Sequence, residues 1–531
     1  MKHLKCFATF LMAFFYINAA ISQVNLSDQK VREIQSATLK TVLSPFLQNA
    51  LIGFSAKRYE QIKPLIFEKS IPEIQKSVHV GKFSYLELTQ FFLYRIAKFE
   101  MNAESSLHAI MALNPDIIKE AKEKDAQLRN RSAKHEIFGM PILLKDNIGS
   151  KKMNTTAGAL AMIGNQADDA FVVKQLKAKG ALILGRVNLS EWAYYMCSSC
   201  PPGYSAVGGY TLNPYGPGVF DTGGSSSGSA VAVAANYAVA AIGTETAGSI
   251  LSPSGQNAVV GLKPTVGLLS RTGIIPISST FDTPGPMTKN VVDNAIILSA
   301  MLGKDEADPA SVKMESNYSK GLATSSLKGK RFGVISSYLV DSLYAKAIAK
   351  IKDAGAVLVE IKPLPVFTLM GNLLKILNYD FKNDLSYYLK NYASKNVEIK
   401  SVSDLVKFNA DNASLRIPYG QALLEGVAKD TTSLSEITTI KNKSTMDSRH
   451  ALEKLFDENR LDAILSINNY NAAEAAVAKY PALAMPMGCS VKGEPKALTF
   501  IAKPFEEHQL LSFAAAFERL ALPRKIPPHY N

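Results

Sequence analysis

The residues best placed to do chemistry crowd into one stretch, 221–264, DTGGSSSGSAVAVAANYAVAAIGTETAGSILSPSGQNAVVGLKP. Two glycine- and serine-rich clusters flank an alanine and valine run. A flexible Gly/Ser linker would carry no apolar run. A purely structural strand would not carry Gly-Ser at both ends, because glycine weakens strands and marks places where backbone comes close to something. The middle reads as a helix from about Ser229 to Tyr237, followed by a buried strand, AVAAIGT, that ends at the second cluster. Hydroxyls and bare backbone amides are thereby delivered to the ends of regular elements. Nucleophilic catalysis asks for this: a serine that can be activated beside N–H groups aimed at a developing oxyanion.

Other chemistries find less support. The seven histidines form no HxxxH pair or other tight metal spacing, so no metal and no cofactor are expected. No glycine-rich loop ends in Gly-Lys-Ser/Thr, which removes a P-loop. Cys197-Ser-Ser-Cys200 could be a local disulfide, a redox pair or half a metal site, and a short disulfide tightening a loop at the site rim is the preferred reading. Gly224-Ser225-Ser226-Ser227-Gly228 satisfies GxSxG with Ser226 at its centre. That nucleophile elbow should follow a strand directly, yet VFDTGG is rich in turn residues, and none of His450, His508 and His529 has a context suited to a triad.

GGSSSGSAVAVAA followed by GTETAGSI resembles the serine- and glycine-rich signature of the amidase signature family. Upstream, HEIFGMPILLKDNI and GRVNLSEWAYY resemble the family's lysine segment and its next landmark. Downstream, VVGLKPTVGLLSRTGIIPISSTFDTPGPM, YPALAMPMG and KALTFIAKPFEEHQLLSFAAAFE resemble later blocks, so the likeness runs in order from about Phe83 to Phe517. It implies a catalytic set of two serines and a lysine, which fall on Ser249 as nucleophile, Ser225 after a cis peptide bond, and Lys145. It also implies an oxyanion hole from the amides of Thr246, Ala247, Gly248 and Ser249. The chain departs from the common pattern with Glu245, Ala247 and Leu251 in place of Asp, Gly and Arg; Glu245 keeps a carboxylate and Ala247 keeps its N–H.

The implied set is chemically coherent. A lysine at its usual pKa of about 10.4 cannot act as a base, but burial disfavours the charge and lowers that value by up to several units. Lys145 ends the apolar run Pro141-Ile142-Leu143-Leu144, where desolvation is expected. A neutral Lys145 could take the proton of Ser225 while Ser225 takes that of Ser249, whose Oγ then attacks an amide carbonyl. The proton returns to the leaving amine through Ser225, and water hydrolyses the acyl-enzyme. Taken singly, a lysine on a strand end is a surface charge and a serine beside glycine is a turn residue. The preserved order and spacing favour catalysis.

These residues need a scaffold. The 531 residues, 47% hydrophobic and 20% charged, describe a globular protein able to bury a large core. Strands alternate with helices, as in GMPILLKDN and FVVKQLKAKGALILGRVN, which argues for an α/β architecture with helices over both faces of the sheet. The family likeness implies one large domain with a central mixed sheet, here 81–531. It is preceded by a helical extension at 23–80 and carries a helical insertion at about 365–450 that shapes the substrate entrance. MKHLKCFATFLMAFFYINAAISQ has two lysines, an apolar run and then small residues, the layout of a cleavable signal peptide over 1–22. An exported (periplasmic or secreted) protein with no stable membrane insertion after cleavage is expected. Removing the two lysines lowers the formal charge from +13 to +11, and the remaining lysines are scattered rather than blocked with aromatics, so no nucleic-acid partner is expected.

GTETxGSI, SRTGIIPIS, FDTPGPM, NYDFKNDLSYYL and YGQALLEG are similar to the peptide amidase branch of the family, which implies ammonia release from C-terminal peptide amides. The substrate expected is thus a peptide amide or small-molecule amide, with Ser198, Ser199 and Tyr204 as rim candidates. An acylamidase taking aryl, fatty or other small amides is the second enzymatic reading. A transamidosome glutaminase subunit fits poorly with export. A catalytically silent binding protein would have lost one of the three residues, and all are present.

Overall fold

Among the described residues thirteen strands follow one another: β1 (Ile110–Leu113), β2 (Pro141–Lys145), β3 (Leu182–Val187), β4 (Tyr204–Ser205), β5 (Gly209–Tyr210), β6 (Ala240–Glu245), β7 (Val260–Lys263), β8 (Thr283–Thr288), β9 (Arg331–Ile335), β10 (Val357–Ile361), β11 (Ala463–Ile467), β12 (Ala482–Cys489) and β13 (Pro495–Ile501). Eleven join in one sheet of order β1-β3-β2-β6-β8-β7-β12-β13-β11-β9-β10, and β4 and β5 form a small hairpin. The structure, a computed structural model, describes residues 40–128, 134–363, 367–520 and 524–531. The expected signal peptide and the first part of the N-terminal extension lie outside these residues.

The sheet is mixed, as expected. β2 runs parallel to β3 and β6 on either side, and β9 runs parallel to β10 and β11, while the middle of the sheet is antiparallel. β2, β3 and β6 are buried along their whole length, which explains why they read as unbroken apolar runs. β8 carries Pro284 and Pro286 opposite Thr244 and Ile242 of β6.

Helices cover both faces of the sheet, and local sequence sets their ends. The helix Tyr85–Glu100 opens with a reciprocal capping box between Ser84 and Glu87, a type of cap that contributes about 1 kcal/mol. Phe171–Ala178 stops at Gly180, whose φ of +90° suits glycine. The helix expected at about 229–237 is Ser227–Ala234 instead. Asn236 adopts a left-handed φ of +58° and the Tyr237 amide folds back to the Ala232 carbonyl, which ends the helix early.

Helices at 40–50, Ala56–Ile66 and Ile71–His79 lie against this body. Ile71 N–H donates to the buried Asp293 carboxylate at 2.7 Å. Arg95, fully buried, donates to the Tyr59 hydroxyl and to the carbonyls of Ala235, Asn236 and Tyr530, so one guanidinium joins the N-terminal helices, the turn after Ser227–Ala234 and the C-terminus.

The expected helical segment comprises Phe367–Asn391, Val402–Ala410, Ala413–Arg416, Ala422–Lys429 and Leu434–Asn459. Its last helix runs nine residues past the expected end, to a left-handed Arg460. The block packs Phe381, Leu385, Tyr388, Leu424 and Val427 onto Trp192 and Ile277 of the core. Among the described residues no helix is long and apolar enough to cross a membrane.

Candidate active site

Lys145 stands at the last position of β2, where the next strand over, β6, presents Thr244. Its Nζ donates to Ser225 Oγ at 2.7 Å, to Thr244 Oγ1 at 2.9 Å and to the Thr244 carbonyl at 3.1 Å. No part of Lys145 or Ser225 reaches solvent. Burial pushes the ammonium from 10.5 down to about 7, against the opposing pull of Asp282 and Glu245. The cage suits both protonation states: with the proton gone, two N–H bonds still reach Thr244 and the lone pair faces the Ser225 hydroxyl.

The Gly224–Ser225 peptide bond is cis, as the family likeness implies. Two backbone bonds pin the loop. Ser190 N–H donates to the Ser225 carbonyl and Ser226 N–H donates to the Ser249 carbonyl, both at 3.1 Å. Gly223 has a φ of +63°, and a side chain there would strike the Pro253 nitrogen at 2.7 Å, so the loops can approach only with glycine at this point. Ser226 Oγ bonds both to the Thr244 carbonyl and to the Thr244 amide, and His508 bonds to the Lys320 carbonyl instead. A nucleophile elbow at Ser226 is therefore absent.

Between Thr222 and Gly255 only Gly224, Ala247 and Ser249 are less than buried. Ser249 is thus partly open just before the helix Leu251–Gln256, while Lys145 and Ser225 are fully buried. Glu245 braces this loop: its carboxylate accepts from the amides of Gly248 (2.7 Å), Ile250 (2.6 Å) and Leu251 (2.9 Å). Gly248 therefore departs from the expected oxyanion donors, because its N–H is already bonded. Thr246, Ala247 and Ser249 have no such backbone bond to Glu245. Burial raises the Glu245 pKa, and the ammonium of Lys263, itself pushed down to about 8 by burial, opposes that rise. Lys263 is a cation that the fold brings near this carboxylate, while its own Nζ donates to the Pro264 and Tyr480 carbonyls.

The rim candidates separate. Ser198 and Ser199 are exposed, and Ser199 Oγ donates to the Tyr419 carbonyl of the helical block at 3.2 Å. Tyr204 is buried edge-on against Tyr419, with centroids 4.8 Å apart. Cys197 and Cys200 form a disulfide within this loop, and Tyr194 donates to the Cys200 carbonyl. None of the three rim candidates lines the cavity beside Lys145. That cavity, of about 140 Å³, is lined instead by Asn147, Thr244, Thr246 and Asp282 of the core and by Asp384 and Tyr387 of the helical block. Sequence reasoning missed Thr244 and Asn147; their signal was only their nearness to the GTETAGS and LLKDN segments. Among the described residues no group of three His, Cys, Asp or Glu could hold a metal ion.

The profile of the family described as Amidase matches residues 87–473. The chain belongs to the amidase family. A protein of Arabidopsis thaliana named as a probable amidase is 36% identical over 480 residues, covering 87% of this chain and 92% of the plant protein. The crystal structure of an amidase family protein from Bacillus anthracis is 38% identical with a TM-score of 0.88, covering 92% of this chain and 98% of that one. The native peptide amidase of Stenotrophomonas maltophilia is 36% identical with a TM-score of 0.83, covering 88% and 99%. This amidase is accordingly a hydrolase acting on amides.

Proposed function

We propose that this amidase cleaves carboxamide C–N bonds through Ser249, with Ser225 and Lys145 relaying the proton, and that its substrates are C-terminal peptide amides. The observation that carries the reading is the buried 2.7 Å contact between Lys145 Nζ and Ser225 Oγ, in a loop tied to a partly open Ser249 by the bond from the Ser226 amide to the Ser249 carbonyl. Desolvation leaves a large share of Lys145 neutral near pH 7, so it can accept the Ser225 proton as Ser225 accepts that of Ser249. Ser249 Oγ bonds to the carbonyl carbon, and the amides of Thr246, Ala247 and Ser249 face the charge that develops on oxygen. Collapse breaks the C–N bond, and the proton held by Lys145 passes through Ser225 to the departing amine, which leaves as ammonia when the substrate is a primary amide. Water then enters by the same relay in reverse order, giving the free acid and restoring Ser249.

The peptide amide reading is supported by the motifs shared with that branch and by the 36% identity to a peptide amidase. Ammonia release from a panel of amidated peptides, set against aryl and long-chain amides, tests it: turnover confined to aryl or fatty amides would replace it with an acylamidase. Export is part of the proposal and rests on the N-terminal sequence alone. Amino-terminal sequencing of the protein recovered outside the cytoplasm should begin near Gln23, and retention of Met1 in the cytoplasm would remove it.

A further inference from the structure

The cavity beside Lys145 has a chemical character that the hydrolysis scheme does not use. Asn147, 2% exposed, forms part of its wall. Its Nδ2 donates to Thr244 Oγ1 at 3.0 Å and to the Ile275 carbonyl at 3.2 Å. A carbonyl can only accept, which fixes the orientation of the amide, and Oδ1 is left buried with no hydrogen bond. The wall is thus polar, with an acceptor enclosed within it that finds no donor.

Charge points the same way. Arg271 is bound to both oxygens of Asp308 and to the Ser279 carbonyl. Asp282 accepts from Thr246 Oγ1 and from the amides of Ile277 and Ser278. Below them, Asp380 is paired with Lys441 and bonded by Ser278. Asp384 differs: it accepts from the Ser279 amide at 2.6 Å and joins no ion pair among the described residues. Burial, with Asp380 nearby, pushes its carboxyl up to about 6, which leaves it ionised above that pH. The cavity lining therefore holds three aspartates against one arginine, within a chain whose formal charge is +13. The rings of Tyr387, Tyr388 and Tyr392 and the apolar faces of Pro276 and Pro284 complete it. An anion would meet like charge here, and a purely apolar group would leave Asp384 without a partner.

We propose that this cavity is a subsite for a cationic substrate arm, a primary ammonium or guanidinium on a short apolar stem, with the stem against the tyrosines and the N–H donors on Asp384. As a statement about substrates it rests on the amide-hydrolysis reading. As a statement about binding it does not.

The test has two arms, both on the full-length protein. Calorimetry with agmatine and n-butylamine, against n-butanol and butyrate, reads binding alone. The two cations should bind saturably and butyrate should not, and Asp384→Asn should weaken the cations by about tenfold or more. Equal affinity for butanol, or cation affinity untouched in Asp384→Asn, overturns the subsite. In the second arm, ammonia release is followed from peptide amides whose final residue is lysine, norleucine or glutamate. Lysine should exceed norleucine in kcat/KM by about tenfold, the ratio should collapse in Asp384→Asn, and Asp384→Lys should turn the preference toward glutamate. A ratio near one in the wild type, or one that survives Asp384→Asn, overturns the assignment to substrate. Release from none of the three amides counts against the hydrolytic reading, and the calorimetric arm still decides the subsite.

Discussion

From Thr222 to Gly255 nearly every side chain is enclosed, and most of the polar ones, the Tyr237 and Ser254 hydroxyls excepted, find partners a few ångströms away in backbone or in one another. The helices Phe367–Asn391 and Leu434–Asn459 follow another logic. The second of them buries only Ile437, Ser444, Ser448, Leu452 and Phe456 and leaves its remaining faces at least partly in water. The first region is held by directional bonds whose loss leaves buried groups unsatisfied; the second is held by one apolar seam, which tolerates changes of shape on the other faces. On the proposed mechanism, bond making belongs to the rigid region and substrate choice to the adaptable one, and variants should divide accordingly.

The largest effect is expected from Ser249→Ala, which should lower kcat by more than about 10³-fold while leaving the melting temperature near that of the wild type. Lys145→Met removes the base and should cost about 10² to 10⁴ in kcat. Turnover within tenfold of wild type in either variant would break the assignment of chemistry to this region. The pH profile offers a second check. With the folded value near 7 against 10.5 for a free lysine, the reactive neutral form is scarce below 7, so kcat/KM should climb as pH rises through about 7 and flatten above it. The linked effect on stability has a definite sign. Between about 7 and 10.5 the unfolded chain holds a proton that the folded one has shed, so the stability penalty of this lysine is relieved as pH rises through that window. An acid limb that persists unchanged in Lys145→Met would assign it to another group.

Thr244→Val should come next. It removes the Oγ1 acceptor of Lys145 and Asn147, and a bond to a charged donor contributes about 1.5–3 kcal/mol, which predicts a loss of about ten- to a hundredfold. Because the lost acceptor favours the ammonium, the acid limb should also move to lower pH. Glu245→Ala strands three amides, each at about 1–3 kcal/mol, and a chemical denaturation curve should show the loss. The smallest effect belongs to an exposed tyrosine of the helical block. Tyr387→Ala, on a residue 58% exposed, should change KM by a few-fold at most and leave kcat alone. A kcat loss as large as that of Thr244→Val would erase the division between the regions.

Much of the rigid region was readable because its composition is unusual. A buried run such as Pro141-Ile142-Leu143-Leu144 ending in lysine, and serines between glycines, stand out against any average sequence. Their partners did not. Thr244 lies 99 residues from Lys145, and Asn147 lies 128 residues from the carbonyl it bonds, so no local pattern connects them. Gly248 looked like an oxyanion donor because its N–H is near Ser249, and only the fold places the Glu245 carboxylate there first. The buried Arg95 reads as an ordinary charge on an amphipathic helix, since its four acceptors come from three distant segments. In the helical block the periodicity announced helices but not which neighbour they cover. The signal-peptide reading and the roles assigned to Ser198, Ser199 and Tyr204 rest on sequence alone.

The bond from the Ser226 amide to the Ser249 carbonyl has a consequence for how this protein can vary. It joins the two serine loops through main-chain atoms, so their spacing does not depend on what either side chain is. Substitutions around them can accumulate without parting the pair, provided residue 226 keeps its N–H and neither loop changes length. Proline at that position, or a single inserted residue, would uncouple what many ordinary replacements leave in register.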